Sequence, residues 1–564
     1  MISEGIKQQS KAVQLPIMAP TIDVYIAKTE RVLPESRAPS ERAIPLSLLD
    51  ATTANFGLTQ AIWLFEPPQQ VPKDFDPTNH LRKSLQITLS AYPQWCGQCK
   101  AVTTPNGPTG EEAKDFPPHA RRYGRLYAHF GTSEDPGVEF VTATSSATLD
   151  SLYPADRTES QPIWNRRDAS LTAFAAQTAI HSTLEPNEPD ENDPRKPLLA
   201  IQVTTLACGG FVVAAKSAHP IADITALVRL IKDWGSVSRA LLLGEAAPTL
   251  SPLFEPSLLD SRAAGDINTD VPDQEILKTA LGLPMHRYDW WAEGSIDKCP
   301  WPVRVPDFFD SNILEPAGDP LPWKDWDLAA PVSSYIIHLS REQVEHLHEE
   351  ARRNLAGAST RISKHDAVLA HVWSCVVRAR QLDRDPEPVH CDLVIGTRPA
   401  LGLGNDFIGS PTLMVNVELP GATVGAVGGD GAALAPIVRR VRQTIEKASE
   451  GPALAAHLHG VAFEKSPQRI WQGFLGRRHI MVTTWARAGI YEVDFGLGSA
   501  VRYADGVVPH LDGCILIKEA PPSRQVRVGD GKPAWTDYGV DVSIPLKADD
   551  MDRLLKDPLL LPNL

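Results

Sequence analysis

The sequence predicts an α/β fold that is divided into more than one domain, and three observations support this prediction. The chain has 564 residues, which is too many for a single hydrophobic core. Strand-like apolar runs are followed by helical patterns in both halves, first within residues 198–234 and again within 333–380. The hydrophobic fraction of 43% and the charged fraction of 22% are typical of a folded globular chain.

The clearest signals of the first half lie between residues 198 and 234. Two apolar runs flank Cys208-Gly209-Gly210, and glycine permits a positive φ, so this stretch predicts two antiparallel strands joined by a tight turn. A helix is predicted directly afterwards, because apolar residues recur at helical spacing at Ile224, Leu227, Val228, Ile231 and Trp234. The string AAKSAHPIADITALV therefore spans the end of a strand and the start of a helix.

The second half repeats the order of strand and then helix. Residues 333–339 predict a strand, and residues 340–354 predict a helix that begins with a capping box formed by Ser340 and Gln343. Residues 363–380 predict a further helix from their apolar spacing. Each half therefore mixes strands with helices.

A segment of different composition separates the two halves. It is rich in Pro, Trp and Asp and shows little periodicity, which is typical of a long connection that links domains or shapes a site. We therefore predict an N-terminal domain at residues 1–245, a Pro-rich crossover at 246–331 and a C-terminal domain at 332–564.

Composition limits the partners and the compartment. A formal net charge of -14 disfavours nucleic acid, because no basic excess is available to neutralise phosphates. No apolar run is long enough to span a bilayer, and residues 1–14 lack the apolar core of a secretory signal. Seven cysteines in so large a chain suggest reduced thiols. The sequence thus predicts a cytoplasmic protein without a nucleic-acid or membrane partner.

Two patterns could suggest a metal or redox site. The string QWCGQCK resembles a thioredoxin active site, but Cys96 and Cys99 follow a predicted helix and a proline, which favours the start of a strand. Zinc would need a second pair of ligands at matching spacing. The histidines and glutamates at 346–350 are typical of a solvated helix face. We therefore predict two buried thiols and no metal site.

One histidine stands where chemistry could occur. Other histidines of the chain also precede an acidic residue by four positions, but only His219 ends a strand-like run and opens a helix. A neutral imidazole can take a proton from a hydroxyl or an amine near neutral pH. Asp223 could hold the loop through a backbone cap or an arginine partner. The alternative interpretation is a strand-end histidine beside a helix-capping aspartate, without catalytic work.

A second motif lies far downstream, within TTWARAGIYEVDFGLGSAVRYADG at 483–506. Asp494-Phe495-Gly496-Leu497-Gly498 places two glycines two residues apart, which indicates a sharp turn with close backbone approach. The combination of His-x-x-x-Asp at mid-chain with Asp-Phe-Gly-x-Gly near the C-terminus resembles the BAHD acyltransferase family, in its fungal secondary-metabolite branch.

Other stretches agree with this family in order and spacing, and the resemblance extends from about residue 20 to 560. They are residues 44–67, 81–98, 363–373 and 396–415. Two positions depart from the pattern of plant members, since Ile224 replaces a glycine and Leu497 replaces a tryptophan. Both departures suggest a divergent branch. They weaken an inference about the substrate but do not weaken the inference about the reaction class.

The resemblance implies an α/β fold of two similar mixed-sheet domains of the CoA-dependent acyltransferase type, with a channel between them. Acyl-CoA, expected to be acetyl-CoA, would enter from one face and the alcohol of a small secondary metabolite from the other. His219 would be the general base for direct attack on the thioester, so no tightly bound cofactor is implied. We expect the enzyme to be a monomer.

The resemblance also assigns roles to other residues. Thr483 and Trp485 would stabilise the intermediate as oxyanion donors. Asp223 would be structural, as would Asp494, Gly496 and Gly498 in the downstream turn. We expect Arg398 to be the ion-pair partner of Asp494.

Three alternatives stay open at this point. Related scaffolds form amides or esters, so the protein could be an N-acyltransferase or a condensation-like enzyme that uses a carrier-bound acyl group. Some relatives have turned to lyase or cyclase chemistry. A binding protein that kept the fold is the third alternative, although the presence of His219 argues against it.

Overall fold

The computed structural model describes residues 22–55, 57–69, 71, 75–165, 171–177, 180, 196–296, 299, 305–310, 314–355, 361–428, 433–522 and 534–564. The strands are β1 (Val24–Val32), β2 (Arg42–Pro45), β3 (Thr59–Phe65), β4 (Gln98–Ala101), β5 (Leu126–Phe130), β6 (Val138–Ser145), β7 (Ile163–Asn165), β8 (Leu199–Leu206), β9 (Phe211–Ser217), β10 (Tyr288–Asp289), β11 (Val332–Leu339), β12 (Pro388–Gly396), β13 (Thr412–Pro420), β14 (Ile470–Trp471), β15 (His479–Thr484), β16 (Val501–Gly506), β17 (Cys514–Glu519) and β18 (Val540–Lys547).

The α-helices lie between these strands and pack on the sheets. They are α1 (Leu48–Thr52), α2 (Pro77–Thr88), α3 (Leu149–Leu152), α4 (Arg157–Ser160), α5 (Ile224–Leu242), α6 (Ser257–Asp260), α7 (Gln274–Ala280), α8 (Arg341–Asn354), α9 (Lys364–Ala379), α10 (Arg398–Leu401), α11 (Gly421–Val424), α12 (Leu434–Ser449), α13 (Gly451–Phe463) and α14 (Ala548–Leu554). None of the described helices is both long and apolar enough to cross a bilayer.

The first large sheet has six strands in the order β1-β6-β8-β9-β3-β16. Neighbouring strands are antiparallel except for β6 and β8, so the sheet is mixed. The apolar stripe of α5 joins one core with side chains of α2 and of the sheet, and Trp234 is fully buried there. This core holds the helix that follows His219.

The second large sheet has seven strands in the order β13-β12-β15-β17-β18-β11-β7. It is also mixed, because β12, β15 and β17 run parallel while the remaining pairs are antiparallel. Its core includes apolar residues of α8, α9, α12, α13 and α14. The predicted pair of mixed sheets is therefore present.

The N-terminal and C-terminal halves of the chain exchange strands between the two large sheets. Strand β16 comes from the C-terminal half but pairs with β3 in the six-stranded sheet. Strand β7 comes from the N-terminal half but pairs with β11 in the seven-stranded sheet. Each exchanged strand covers an edge that would otherwise leave backbone groups unpaired. The sequence boundaries therefore do not separate the two sheets.

The local predictions agree with the structure where residues are described. Strands β8 and β9 form an antiparallel hairpin, and Gly209 has a φ of +82° in the turn between them. Helix α8 begins at the capping box formed by Ser340 and Gln343. The strand that was predicted to start at the cysteine pair is β4, which begins at Gln98 and contains Cys99. Residues 1–21, which belong to the predicted N-terminal domain, lie outside the described part of the chain.

The crossover packs against the C-terminal half through a short strand and a buried ion pair. Its short strand β10 pairs with β14, and Asp289 of β10 forms a buried bidentate ion pair with Arg469 at 2.6 and 2.9 Å. An aromatic cluster surrounds this contact and includes Tyr288, Trp323 and Phe474. The crossover therefore forms a wall beside the seven-stranded sheet.

Candidate active site

His219 lies in the short connection between β9 and α5, as the sequence pattern predicted. Strand β9 ends at Ser217 and the helix begins at Ile224. The histidine lines a cavity of about 430 Å³ that both large sheets border. Gln60 of β3 contributes to the wall on one side, and Met481 of β15 contributes on the other. The fold thus brings His219 to a space between the two sheets.

The surroundings of His219 favour the neutral imidazole. Its side chain is half-buried, and Nδ1 lies 2.9 Å from the hydroxyl of Ser410. Burial lowers the pKa of His219 to about 4, although the nearby carboxylate of Asp223 opposes this shift. At neutral pH the ring therefore carries an electron pair that can accept a proton.

Asp223 makes both of the contacts that the sequence left open. Its carboxylate accepts a hydrogen bond from the backbone N–H of Ala226, 3.0 Å away, and so caps α5. The same carboxylate forms a buried bidentate pair with Arg398, whose Nη2 lies 2.9 Å from Oδ1. Arg398 also donates to the carbonyls of Phe407 and Gly409. Asp223 thus fixes the loop of His219 to the opposite half of the chain.

The predicted ion pair between Arg398 and Asp494 is wrong. Asp494 pairs with Arg239 on α5, with 2.8 Å between Oδ2 and Nη1, and both side chains are about half exposed. Arg398 instead satisfies the buried Asp223, because a buried carboxylate needs a charged partner more than an exposed one does. The sequence could not rank these two carboxylates, since it does not show which one is buried.

The downstream motif forms a turn that packs on α5. Asp494 Oδ1 accepts a hydrogen bond from the N–H of Gly496, and Gly496 and Gly498 have φ values of +77° and +67°. Ser238 of α5 donates its hydroxyl to the carbonyl of Phe495 at 2.7 Å. Asp494 is not among the described residues that line the His219 cavity. This geometry supports the predicted structural role of the turn.

The structure adds two residues that sequence reasoning missed. Ser410 is fully buried and holds His219 through its hydroxyl, while its backbone N–H donates to Asp50. Asp50 is buried as well and also accepts from the N–H of Ser47. The only available signal was the position of Ser410 within the family-like stretch 396–415, because a single serine in a loop has no pattern of its own.

Thr483 and Trp485 line the same cavity as His219. Thr483 belongs to β15, and Trp485 follows the end of that strand. The crossover, β14 and the segment that follows β14 add an aromatic wall formed by Trp290, Trp323, Trp326, Trp471 and Phe474. The cavity therefore combines a neutral imidazole, a hydroxyl and an indole with a large apolar surface.

Cys96 and Cys99 are buried free thiols, as predicted. Burial raises the pKa of the Cys99 thiol to about 12 and that of Cys96 further, so neither is a ready thiolate. Another set of side chains could hold a metal, namely His286, His390 and His479. The prediction of no metal site did not consider these histidines, because they lie far apart in the sequence.

The chain matches a known family of enzymes over most of its length. A sequence profile of the Transferase family matches residues 22–107, 132–281 and 327–557. The chain therefore belongs to this family, which confirms the resemblance to BAHD acyltransferases drawn from the two motifs.

Relatives support the same assignment. Acyltransferase AFT15-1 of Alternaria alternata is 26% identical to this chain, and the match covers 95% of this chain and 97% of the relative. Acyltransferase abl6 of Leptosphaeria maculans is 25% identical, with 95% and 98% covered. The structure of TRI101 from F. graminearum complexed with coenzyme A and T-2 mycotoxin is 17% identical, covers 92% of this chain and 98% of its own, and has a TM-score of 0.60. This last likeness shows the shared fold.

Proposed function

We propose that the protein is an acyl-CoA-dependent O-acyltransferase that transfers an acetyl group to a hydroxyl of a small-molecule secondary metabolite. The observation that carries this proposal is the position of His219 on the wall of a cavity between the two sheets. The complex of TRI101 with coenzyme A and T-2 mycotoxin supports a CoA thioester and a small acceptor. The aromatic wall of the cavity suits an acceptor with a large apolar surface.

His219 would act as general base. If its Nδ1–H donates to Ser410, Nε2 is the unprotonated nitrogen that can receive the proton of the acceptor. The hydroxyl oxygen then bonds to the thioester carbonyl carbon as its proton passes to Nε2. The C–S bond breaks in the resulting intermediate, and the departing CoA thiolate takes the proton from the imidazolium. No acyl-enzyme and no tightly bound cofactor are needed for this sequence.

Thr483 and Trp485 would stabilise the negative oxygen of the intermediate. The hydroxyl of Thr483 and the indole N–H of Trp485 are hydrogen-bond donors on residues that line the same cavity as His219. Donors that are fixed in advance and enclosed by apolar groups stabilise developing charge more than water does. Gathering both substrates at one histidine also removes much of the entropic cost of their encounter.

We further propose that the enzyme works as a monomer in the cytoplasm, without a nucleic-acid or membrane partner. The net charge of -14 supports the absence of nucleic-acid and membrane partners, because it disfavours binding to phosphate backbones and anionic lipid surfaces. The cavity beside His219 is the feature that supports small-molecule partners.

The direct test supplies the purified protein with acetyl-CoA and matched pairs of alcohols and amines. Free CoA thiol and the mass of the product are measured, with His219→Ala as the inactive control. We expect an acetyl ester to form from at least one alcohol of the panel. Products only from amines would replace O-acylation by N-acylation. Transfer only from a carrier-bound acyl group would favour the condensation-like interpretation, and rearranged acceptor without thiol release would favour lyase or cyclase chemistry.

A further inference from the structure

Three histidines from distant parts of the chain converge beside the aromatic wall. His286 precedes β10 in the crossover, while His390 and His479 lie opposite one another on the parallel strands β12 and β15. One ring nitrogen from each can be chosen such that all three atoms lie within 4.8 Å of one another. The ring centroids of His390 and His479 are 4.4 Å apart, and that of His286 lies 4.9 Å from His390.

The other polar groups around the cluster orient these rings. Asn416 Oδ1 lies 3.2 Å from Nδ1 of His390, and the hydroxyl of Tyr288 lies 3.4 Å from Nε2 of His479. Nδ1 of His479 is buried and has no hydrogen-bond partner among the described residues. Histidines that bind metals usually have one nitrogen held by such an outer partner and the other directed to the ion.

A buried carboxylate adjoins the same cluster. Asp392 is fully buried, and its Oδ1 lies 3.3 Å from Nε2 of His286, yet neither atom has a hydrogen-bond partner in the described part of the chain. Its Oδ2 accepts from the backbone N–H of Phe474. No ion pair with lysine or arginine is found for Asp392 among the described residues. A cation beside it would give this buried carboxyl oxygen a partner.

The chemistry of the donors selects the class of ion. The three candidate ligand atoms are all imidazole nitrogens, and they lie within 4.8 Å of one another. Neutral imidazoles suit zinc and its transition-metal neighbours, whereas calcium and magnesium prefer oxygen ligands. We propose that His286, His390 and His479 bind a zinc ion that fastens the crossover to the seven-stranded sheet.

The proposed ion would have a structural role. Phe474 lines the active-site cavity, and its ring centroid is 5.4 Å from that of His479. The three histidines are not among the described residues that line the cavity. The ion would therefore lie behind the aromatic wall and hold it, without contacting the acyl group. Tetrahedral zinc places its nitrogen ligands roughly 3.4 Å apart, so the nearly parallel rings of His390 and His479, at 14°, must rotate on binding.

Metal content tests the proposal without depending on acyl transfer. The full chain is produced without a polyhistidine tag in zinc-supplemented medium, dialysed, and analysed for metals. We expect about one zinc per chain in the wild type, and less than about a tenth of that in His390→Gln and in His479→Gln. His346→Ala removes a histidine from the outer face of α8 and should keep the full zinc content. Wild-type protein without zinc, or variants that keep it, would overturn the proposal.

A spectroscopic measurement covers the case in which the variants fail to fold. Chelator-treated wild-type protein is titrated with Co²⁺, which reports tetrahedral coordination through intense visible absorption, and its melting temperature is measured with and without Zn²⁺. We expect a saturable Co²⁺ spectrum at about one equivalent and a melting temperature raised by on the order of several degrees with zinc. A chelated protein that shows neither change while folded would contradict the proposal.

Discussion

At the scale of single residues, the environment of His219 sets its protonation state. The ring is held at Nδ1 by Ser410, and burial outweighs the nearby Asp223 in lowering the pKa to about 4. A histidine with an ordinary pKa would be partly protonated near pH 6.5 and therefore partly inactive as a base. The lowered pKa makes the imidazole a weaker base but keeps it in the neutral form near pH 7.

This protonation state predicts the pH dependence of acyl transfer. The rate constant of the chemical step should stay nearly constant from pH 8 to about 5.5 and fall as the pH drops through about 4, because protonation removes the base. Single-turnover rates at saturating acetyl-CoA provide the measurement. A decline centred near pH 6.5 would show that His219 is solvated in the working enzyme.

The same shift affects stability, and the two effects must be separated. Between pH 6.5 and 4 the unfolded chain binds a proton at His219 that the folded protein does not, so stability is lost as the pH falls through this window. Melting temperatures recorded at each pH therefore accompany the rates. Only the fraction of protein that is folded at a given pH is counted in the rate constant.

The two carboxylates of the family motifs should respond differently to loss of their arginines. Arg398→Ala leaves Asp223 buried and unpaired, so the free energy of unfolding should fall by about 3–5 kcal/mol. Arg239→Ala removes only an exposed partner of Asp494 and should cost less than about 1 kcal/mol. Denaturant unfolding of the two variants gives the comparison. Equal losses would mean that burial does not distinguish the two pairs.

At the scale of elements, helix α5 connects the two motifs physically. Its N-terminus is capped by Asp223 directly after His219, while its later turns pack against the downstream turn through Trp234 and Phe495, whose rings are 4.7 Å apart. The turn thus supports the helix that positions the loop of His219. This explains how a motif outside the cavity wall can matter for activity.

Gly235 is the point of closest approach between α5 and the turn. A Cβ at this position would lie 2.4 Å from the carbonyl oxygen of Asp494, so Gly235→Ala should destabilise the protein by about 1–3 kcal/mol despite the better helix propensity of alanine. Gly460 in α13 is the matched control, because its nearest neighbour would be 3.6 Å from the new Cβ. Gly460→Ala should be neutral or stabilising in the same unfolding experiment. An unchanged free energy of unfolding in Gly235→Ala would show that the turn does not pack tightly against α5 at this position.

At the scale of the whole molecule, the sequence predicted the class of fold but not the way the halves interlock. The hairpin around Gly209 and the capping box at Ser340 are encoded locally, and both were predicted correctly. The exchange of β7 and β16 depends on which sheet edges meet in space, and no local pattern specifies this. The same limit applies to the site. The contact of Ser410 with His219 and the pairing of Arg398 with Asp223 both join residues that lie far apart in the sequence.

The exchange of strands also explains why residues of both sheets line the cavity beside His219. Strand β16 of the C-terminal half and the hairpin that precedes His219 share one sheet, while Thr483 comes from the other. The cavity wall therefore contains residues of both sheets. His219 is the residue of this wall that we propose as the general base.

The most direct test of this claim compares wild-type protein with His219→Ala in binding and in turnover. Acetyl-CoA affinity is measured by calorimetry, the fold by melting temperature, and acyl transfer by release of free thiol. The account predicts an unchanged fold, retained affinity, and a loss of acyl transfer by on the order of 10²–10⁴-fold, which is the usual contribution of a positioned base. A His219→Ala variant that transfers acetyl groups at a rate close to that of the wild type, across several acceptors, would contradict the account.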